Sequence, residues 1–411
     1  MFTGNGGTDV IEYHNVGNVA AGTDGDTGTG DITATIDFDN ITGVEKIQVM
    51  DADGFAAGSA DPIQTTIAAL TATTTKMPAT FEYDGSAITD TSDTQDFNYS
   101  SATAADNDAL TTDMTITTGA GADSVGGSGG DDTISTGAGA DVVFGGGRSD
   151  TIDGGTGDDT LYGGDETALT GVGDSISGGA GADTIDGDAG ADTILGGDGA
   201  DIITGGTGAD IMTGGSGADV FTLVGATESG GSSIDTITDF TTGSDTIRIT
   251  QTAAEITATG TMDFNAADLG DVDTFAEVEA ILSGKVGEAV YVKDTAQLVI
   301  DLNGDANINS NDIRVNLNGT TAYDNADVVY TIGLDTAAAR TYTLSDGADI
   351  VTGTTDVIVD TINALGGNDN IASGSGADII NGGAGNDIID GEVGVDVITG
   401  GAGNDTITLT D

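Results

Sequence analysis

From Asp123 onward an aspartate returns every nine residues. The run is Asp123, Asp132, Asp141, Asp150 and Asp159, then Asp174, Asp183, Asp192, Asp201, Asp210 and Asp219. A second run is Asp360, Asp369, Asp378, Asp387, Asp396 and Asp405. Two residues after each aspartate stands an apolar side chain, from Val125, Ile134 and Val143 to Met212 and Phe221, and again from Ile362 to Ile407. Gly-rich segments precede most of them, as in Gly214-Gly215-Ser216-Gly217-Ala218-Asp219. No helix has this period. A glycine turn followed by a short extended segment does, because glycine reaches positive φ without strain and strand alternation turns the apolar residue inward.

The pattern matches the calcium-binding nonapeptide G-G-x-G-x-D-x-U-x. Two nonapeptides make one coil of a parallel β-roll, so stacked turns lie eighteen residues apart. Asp123, Asp141 and Asp159 then line one edge, and Asp132 and Asp150 the other. At the coil spacing of about 4.8 Å these carboxylates repel each other. The thin core of U positions does not overcome that repulsion alone. Facing turns offer carboxylate and carbonyl oxygens, the hard ligands Ca2+ prefers, so metal binding is expected to be coupled to folding.

Composition agrees. With 8 basic and 69 acidic residues the formal charge is −61, which excludes a phosphate-binding surface and therefore a nucleic-acid partner. One ion per repeat aspartate would add roughly 34 positive charges, about half the excess. There is no cysteine, hence no disulfide framework and no thiol nucleophile. No apolar run is long enough to insert in a membrane.

These repeats resemble those of the repeats-in-toxin (RTX) family of secreted Gram-negative proteins, over roughly 118–224 and 346–411. Among that family the chain is most like RTX-type surface-layer proteins, because Ile41-Thr-Gly-Val44-Glu-Lys-Ile47 resembles their connectors. The resemblance implies an all-β parallel β-roll with several Ca2+ ions, export by a type I secretion system, and folding outside the cell. It places the calcium ligands at Asp123, Asp132, Asp141, Asp159, Asp183, Asp192, Asp201, Asp210, Asp219, Asp369, Asp378, Asp387, Asp396 and Asp405. Asp150, Asp174 and Asp360 are set apart. Arg148 and Val172 replace glycines before the first two, the step from Asp159 to Asp174 is fifteen residues, and the turn before Asp360 is poor in glycine.

Four regions follow: a β-rich 1–117, a β-roll block at 118–224, a β-rich insertion at 225–345, and a second block at 346–411. Ile32, Ala34, Ile36 and Phe38 alternate in the first, as do Met114 and Ile116, and Gly4 to Ile11 repeats the nonapeptide once. In the insertion, Ile234 to Phe240 and Gly243 to Ile249 read as a strand pair, and Asp273 to Ser283 as one short helix bounded by Gly284. Asp301, Asn303, Asp305, Asn309 and Asp312 place oxygen ligands at loop positions 1, 3, 5, 9 and 12, like a dockerin or EF-hand loop. Its flanks, Gln297 to Ile300 and Ile313 to Leu317, read as strands.

Enzymatic motifs do not assemble. Gly126-Gly-Ser128-Gly-Gly130 satisfies a nucleophile-elbow pattern only through its glycine density. His14 is the single histidine, and Gly284-Lys285 is followed by valine, so neither a zinc motif nor a phosphate loop forms. The expectation is a secreted, non-enzymatic structural protein at the cell surface. It folds on Ca2+ and polymerises with itself, head to tail, on a coat that includes cell-surface polysaccharide. The alternative is a calcium-stiffened adhesin segment that binds a surface or glycan.

Overall fold

The computed structural model describes residues 113–164, 173–224, 233–251, 296–301, 313–318, 341–355 and 358–410, and elsewhere only the paths of short strands. Those strands include Val10–His14, Ile32–Thr35, Lys46–Met50, Ile63–Ile67, Thr80–Asp84, Thr94–Phe97, Thr261–Asp263, Glu288–Val292 and Val328–Gly333. The molecule is an all-β parallel β-solenoid, with no helix among the described residues. The segment 273–283, expected to be helical, lies outside them. The chain divides into two compact units, Met1–Ile203 and Thr204–Asp411.

In the first unit the nonapeptides alternate between two parallel sheets. Thr133 pairs with Thr151, and Ser124 with Val142, each eighteen residues on. The six extra residues between Asp159 and Asp174 do not break this register. Thr151 pairs with Ser175 and Thr160 with Thr184, so the longer coil keeps both sheets aligned. Val10–His14, Lys46–Met50, Thr80–Asp84 and Asp113–Thr117 run in one of these sheets, and Ile32–Thr35, Ile63–Ile67 and Thr94–Phe97 in the other. Val10 pairs in parallel with Lys46, Lys46 with Glu82, and Thr80 with Asp113. These coils are longer but equally parallel. A parallel strand forces its connection to cross to the opposite sheet, and nothing requires that connection to be nine residues.

The core is two facing columns of inward side chains, one from each sheet. Met114, Ile116, Val125, Ile134, Val143, Ile152, Leu161, Ile176, Ile185, Ile194 and Ile203 are all buried. Successive coils stack these residues at one strand spacing, which fills the narrow interior without large aromatic groups.

In the second unit Ile211–Ser216 pairs with Asp235–Ile237, and Val220–Val224 with Thr246–Gln251. The segments read as a strand pair therefore do not pair with each other; each extends a different sheet. Ile313–Leu317 follows in parallel against Asp235–Ile237, and then the direction reverses. Gln297–Asp301 is antiparallel to both Ile313–Leu317 and Glu288–Val292. The two strands expected around residues 301–312 thus form the arms of a hairpin, with Leu298, Ile300, Ile313 and Val315 buried. From Thr341 parallel stacking resumes, through Thr361–Asn363, Ile379–Ala384 and Val397–Ala402 on one side and Ile350–Thr354, Asn370–Gly376, Ile388–Gly394 and Thr406–Thr410 on the other.

Candidate metal centre

Each ladder aspartate ends a turn and begins a strand, and its carboxylate is held by the coil before it. In the first unit the backbone N–H of Asp123 donates to Asp141 Oδ1 at 2.7 Å, that of Asp141 to Asp159, that of Asp159 to Asp183, and that of Asp183 to Asp201. On the opposite edge Met114 donates to Asp132, Asp132 to Asp150, Asp150 to Asp174 and Asp174 to Asp192. The second unit repeats the device. Asp360 donates to Asp378 and Asp378 to Asp396, while Asp369 donates to Asp387 and Asp387 to Asp405. One oxygen of each of these accepting aspartates is thereby committed to the main chain.

The other oxygen points into the turn. Oδ2 of Asp141, Asp159, Asp183, Asp369, Asp378 and Asp387 is buried and accepts no hydrogen bond. A carboxylate left in that state costs several kcal/mol unless a cation or proton joins it, roughly the penalty of burying an uncompensated charge. Burial accordingly pushes Asp132, Asp141 and Asp192 up to about 7 and Asp369 up to about 8. At Asp141 the N–H of Asp123 works against this rise, and the charges of Asp123 and Asp159 add to it.

The turn glycines make room for that second oxygen. Before Asp159, a Cβ on Gly154 would lie 2.6 Å from Asp159 Oδ2 and 2.9 Å from the carbonyl oxygen of Gly178 in the next coil. A carboxylate oxygen and a carbonyl oxygen therefore converge on the space a side chain would fill. Gly382 shows the same pair, with Asp387 Oδ2 at 2.5 Å and the Gly400 carbonyl at 2.6 Å. Gly155 and Gly157 take φ of 95° and 133°, which turns the chain back toward the strand. Among the described residues no three acidic, histidine or cysteine side chains cluster around one point. An ion here must share itself between carboxylates and main-chain carbonyls. That all-oxygen donor set suits Ca2+ and not the softer transition metals.

Residues 115–143, 144–166, 170–203, 186–221, 359–380 and 373–407 match the family model of the RTX calcium-binding nonapeptide repeat. These segments are RTX repeats. No curated protein matches the chain. RTX repeats bind Ca2+, and the buried second oxygens fit several ions along the rows. When bound, the ion supplies the positive charge that these oxygens lack. The aspartates present Oδ2, the glycines admit it, and the inter-coil N–H bonds fix its direction.

The geometry extends the RTX rows beyond their glycine signature. Asp150, Asp174 and Asp360, set apart in the sequence, are buried and bonded like their neighbours. Arg148 keeps its turn by adopting a φ of 78° itself, and Asp188, Leu365 and Glu392 do likewise in theirs. Three further rungs were not visible as repeats. Asp235 Oδ1 accepts the N–H of Asp210, Asp245 Oδ1 that of Asp219, and Asp369 Oδ1 that of Asp349. All three are buried, and their D-x-U triplets, ending at Ile237, Ile247 and Val351, were the available signal. Asp396 and Asp405 accept N–H bonds but are only half-buried. Of the dockerin-like set, Asp301 ends a strand, and Asn303, Asp305, Asn309 and Asp312 lie outside the described residues.

Proposed function

We propose that this is a secreted protein that folds on Ca2+ outside a Gram-negative cell and assembles with copies of itself into a surface layer or filament. RTX repeat proteins are typically secreted by such bacteria, and calcium-coupled folding suits a chain exported unfolded from a calcium-poor cytosol. The observation that carries self-assembly is the outer surface of the second RTX ladder. Ile379 and Val397 stand in register on one face, and Ile388 on another, all about half exposed or more. Val395, at 85 % exposed, continues the stretch from Val393 to Val397. Aligned apolar side chains on solvent-facing strands mark a contact surface, and the face of an identical coil is the partner whose spacing they match.

Negative-stain microscopy of the purified chain in millimolar calcium, beside a chelated sample, tests the reading. Sheets or filaments that dissolve in chelator support it. A folded monomer in calcium removes assembly and leaves a ligand-binding role to be sought.

A further inference from the structure

The residue five positions before a ladder aspartate sets what its second carboxylate oxygen meets. Before Asp159 and Asp387 this residue is glycine, Gly154 and Gly382, and the room beside it is lined by Oδ2 and by the carbonyl of the matching residue in the next coil. Three turns place a hydroxyl there instead: Thr118 before Asp123, Thr136 before Asp141 and Ser373 before Asp378. All three side chains are buried. Thr118 Oγ1 donates to the carbonyl of Thr136 at 2.9 Å, Thr136 Oγ1 to that of Gly154 at 2.9 Å, and Ser373 Oγ to that of Gly391 at 3.2 Å. Each acceptor is again the matching residue of the next coil, so the hydroxyl meets the same carbonyl that converges with Oδ2 at Gly154 and Gly382.

Filling this position needs no hydroxyl, since Ala364, before Asp369, does it with carbon alone. Nor do the hydroxyls satisfy the carboxylates. Oδ2 of Asp141 and of Asp378 is buried and accepts no hydrogen bond, as in the glycine turns. The Thr136 hydroxyl nevertheless stands beside the Asp141 carboxylate. Adjacent oxygens in a pentagonal-bipyramidal Ca2+ shell, roughly 2.4 Å from the ion, stand about 2.8–3.4 Å apart. The hydroxyl-to-carbonyl separations of 2.9 and 3.2 Å fall in that range. A hydroxyl rotor that donates to the carbonyl can turn a lone pair to a cation instead, because its proton is free to rotate.

We propose that the hydroxyls of Thr118, Thr136 and Ser373 are calcium ligands, each adding a side-chain oxygen to the carboxylate and carbonyl of its turn. This rests on the calcium reading above and assigns the turns that hold their ions most tightly. Ca2+ takes six to eight oxygens, and its affinity follows the number and rigidity of the ligands the protein supplies. A buried hydroxyl adds one without adding charge. The Thr118 and Thr136 turns, one coil apart in the first ladder, and the Ser373 turn in the second therefore fill before the glycine turns.

The test is equilibrium dialysis of the full chain against graded free calcium, with bound ions counted per chain. Thr136→Val keeps the side-chain shape and removes the hydroxyl, and it should bind one ion at least tenfold more weakly while the others keep their affinities. Thr136→Ser should match the parent. Unchanged binding in Thr136→Val overturns the proposal. So does a shift of the whole binding curve together, which would mean that the hydroxyl only clasps neighbouring coils and acts through folding. An additional ion in Thr136→Gly overturns it as well, because the hydroxyl would then be keeping calcium out. If Thr136→Val fails to fold, Ser373→Ala is read by the same criteria. A parent chain that binds no calcium at all refutes the calcium reading itself, a result distinguishable from all of these.

Discussion

The two RTX ladders share one inner pattern and differ on the outside. Inward, both repeat an aspartate and an apolar residue two positions later, and Ile194 and Ile380 are equally buried. Outward, the first ladder sets Thr115, Thr133, Thr151, Ser175 and Thr193 in one exposed column. The second sets Ile379 and Val397 at the equivalent position. The second also carries a row of amides at the residue before the aspartate, where Asn368 Oδ1 accepts from Asn386 N–H and Asn386 Oδ1 from Asn404 N–H. Folding constrains the inner positions alone. What the outer positions carry is therefore available to function; the first ladder exposes Phe144, Leu195 and Ile211, whereas the second exposes more such side chains and sets Ile379 and Val397 in register.

The largest test removes the metal. Chelation should abolish the β signal of both ladders in circular dichroism, and hydrogen exchange resolved by segment should show 113–164 and 369–405 opening together. A second ladder that stays protected in chelator would mean that its amide row and outer contacts, not Ca2+, hold it. Next in size are core truncations. Ile185→Ala should cost about 2–5 kcal/mol of stability in saturating calcium, the usual range for a buried methyl cluster. Ile407→Ala should cost under about 1 kcal/mol, because Ile407 is 44 % exposed. Equal losses at both positions, measured by denaturant titration, would show that the last coil is covered in solution.

How much of this was readable in advance follows the range of each signal. Aspartate and apolar residue sit two apart, so the rungs and their core were legible wherever glycines framed them. The longer coils of 1–117 were not, because parallel pairing such as Val10 with Lys46 leaves no fixed period in the sequence. Asp235, Asp245 and Asp349 escaped because their turns break the glycine frame: Asp235 follows Gly230-Gly231 but has Ser233 where the fourth-position glycine belongs, and the other two turns have one glycine each, Gly243 and Gly347. Arg148 stands where the pattern has a glycine. Its side chain set Asp150 apart as a ligand, and its backbone makes the glycine-type turn at φ 78° all the same.

Acid should distinguish the ladders when calcium is absent. Burial raises the folded-state pKa of these carboxylates above the unfolded one, so the protonated fold is favoured. That stability is fully present below about pH 4 and is lost as the pH climbs through about 7 at Asp132, Asp141 and Asp192 and about 8 at Asp369. Chelated protein should therefore regain β structure on acidification from pH 8 to 5, with the segment around Asp369 recovering first. With calcium present the sign reverses, because protons compete with the ion. A chelated chain equally unfolded at both pH values would show that carboxylate burial is not what calcium relieves.

Outer substitutions come next. Replacing Ile379, Ile388 and Val397 together by threonine gives the second ladder the outer face of the first. Folding in calcium should be unchanged within about 1 kcal/mol, since surface positions away from special contacts rarely matter more, while the sedimenting fraction falls. Undiminished assembly would place the contact elsewhere on the molecule.

The smallest effect is expected at Arg148. A non-glycine residue in the left-handed region costs roughly 1–2 kcal/mol, and glycine pays part of that back in unfolded-state entropy. Arg148→Gly should consequently raise stability in calcium by about 1 kcal/mol or less, read as a small upward shift of the denaturant midpoint with an unchanged slope. The direction matters more than the size. If the variant is less stable, the guanidinium must be offsetting the surrounding aspartates, and the first ladder would then contain a built-in cation at a turn where every other repeat relies on calcium or hydrogen bonds.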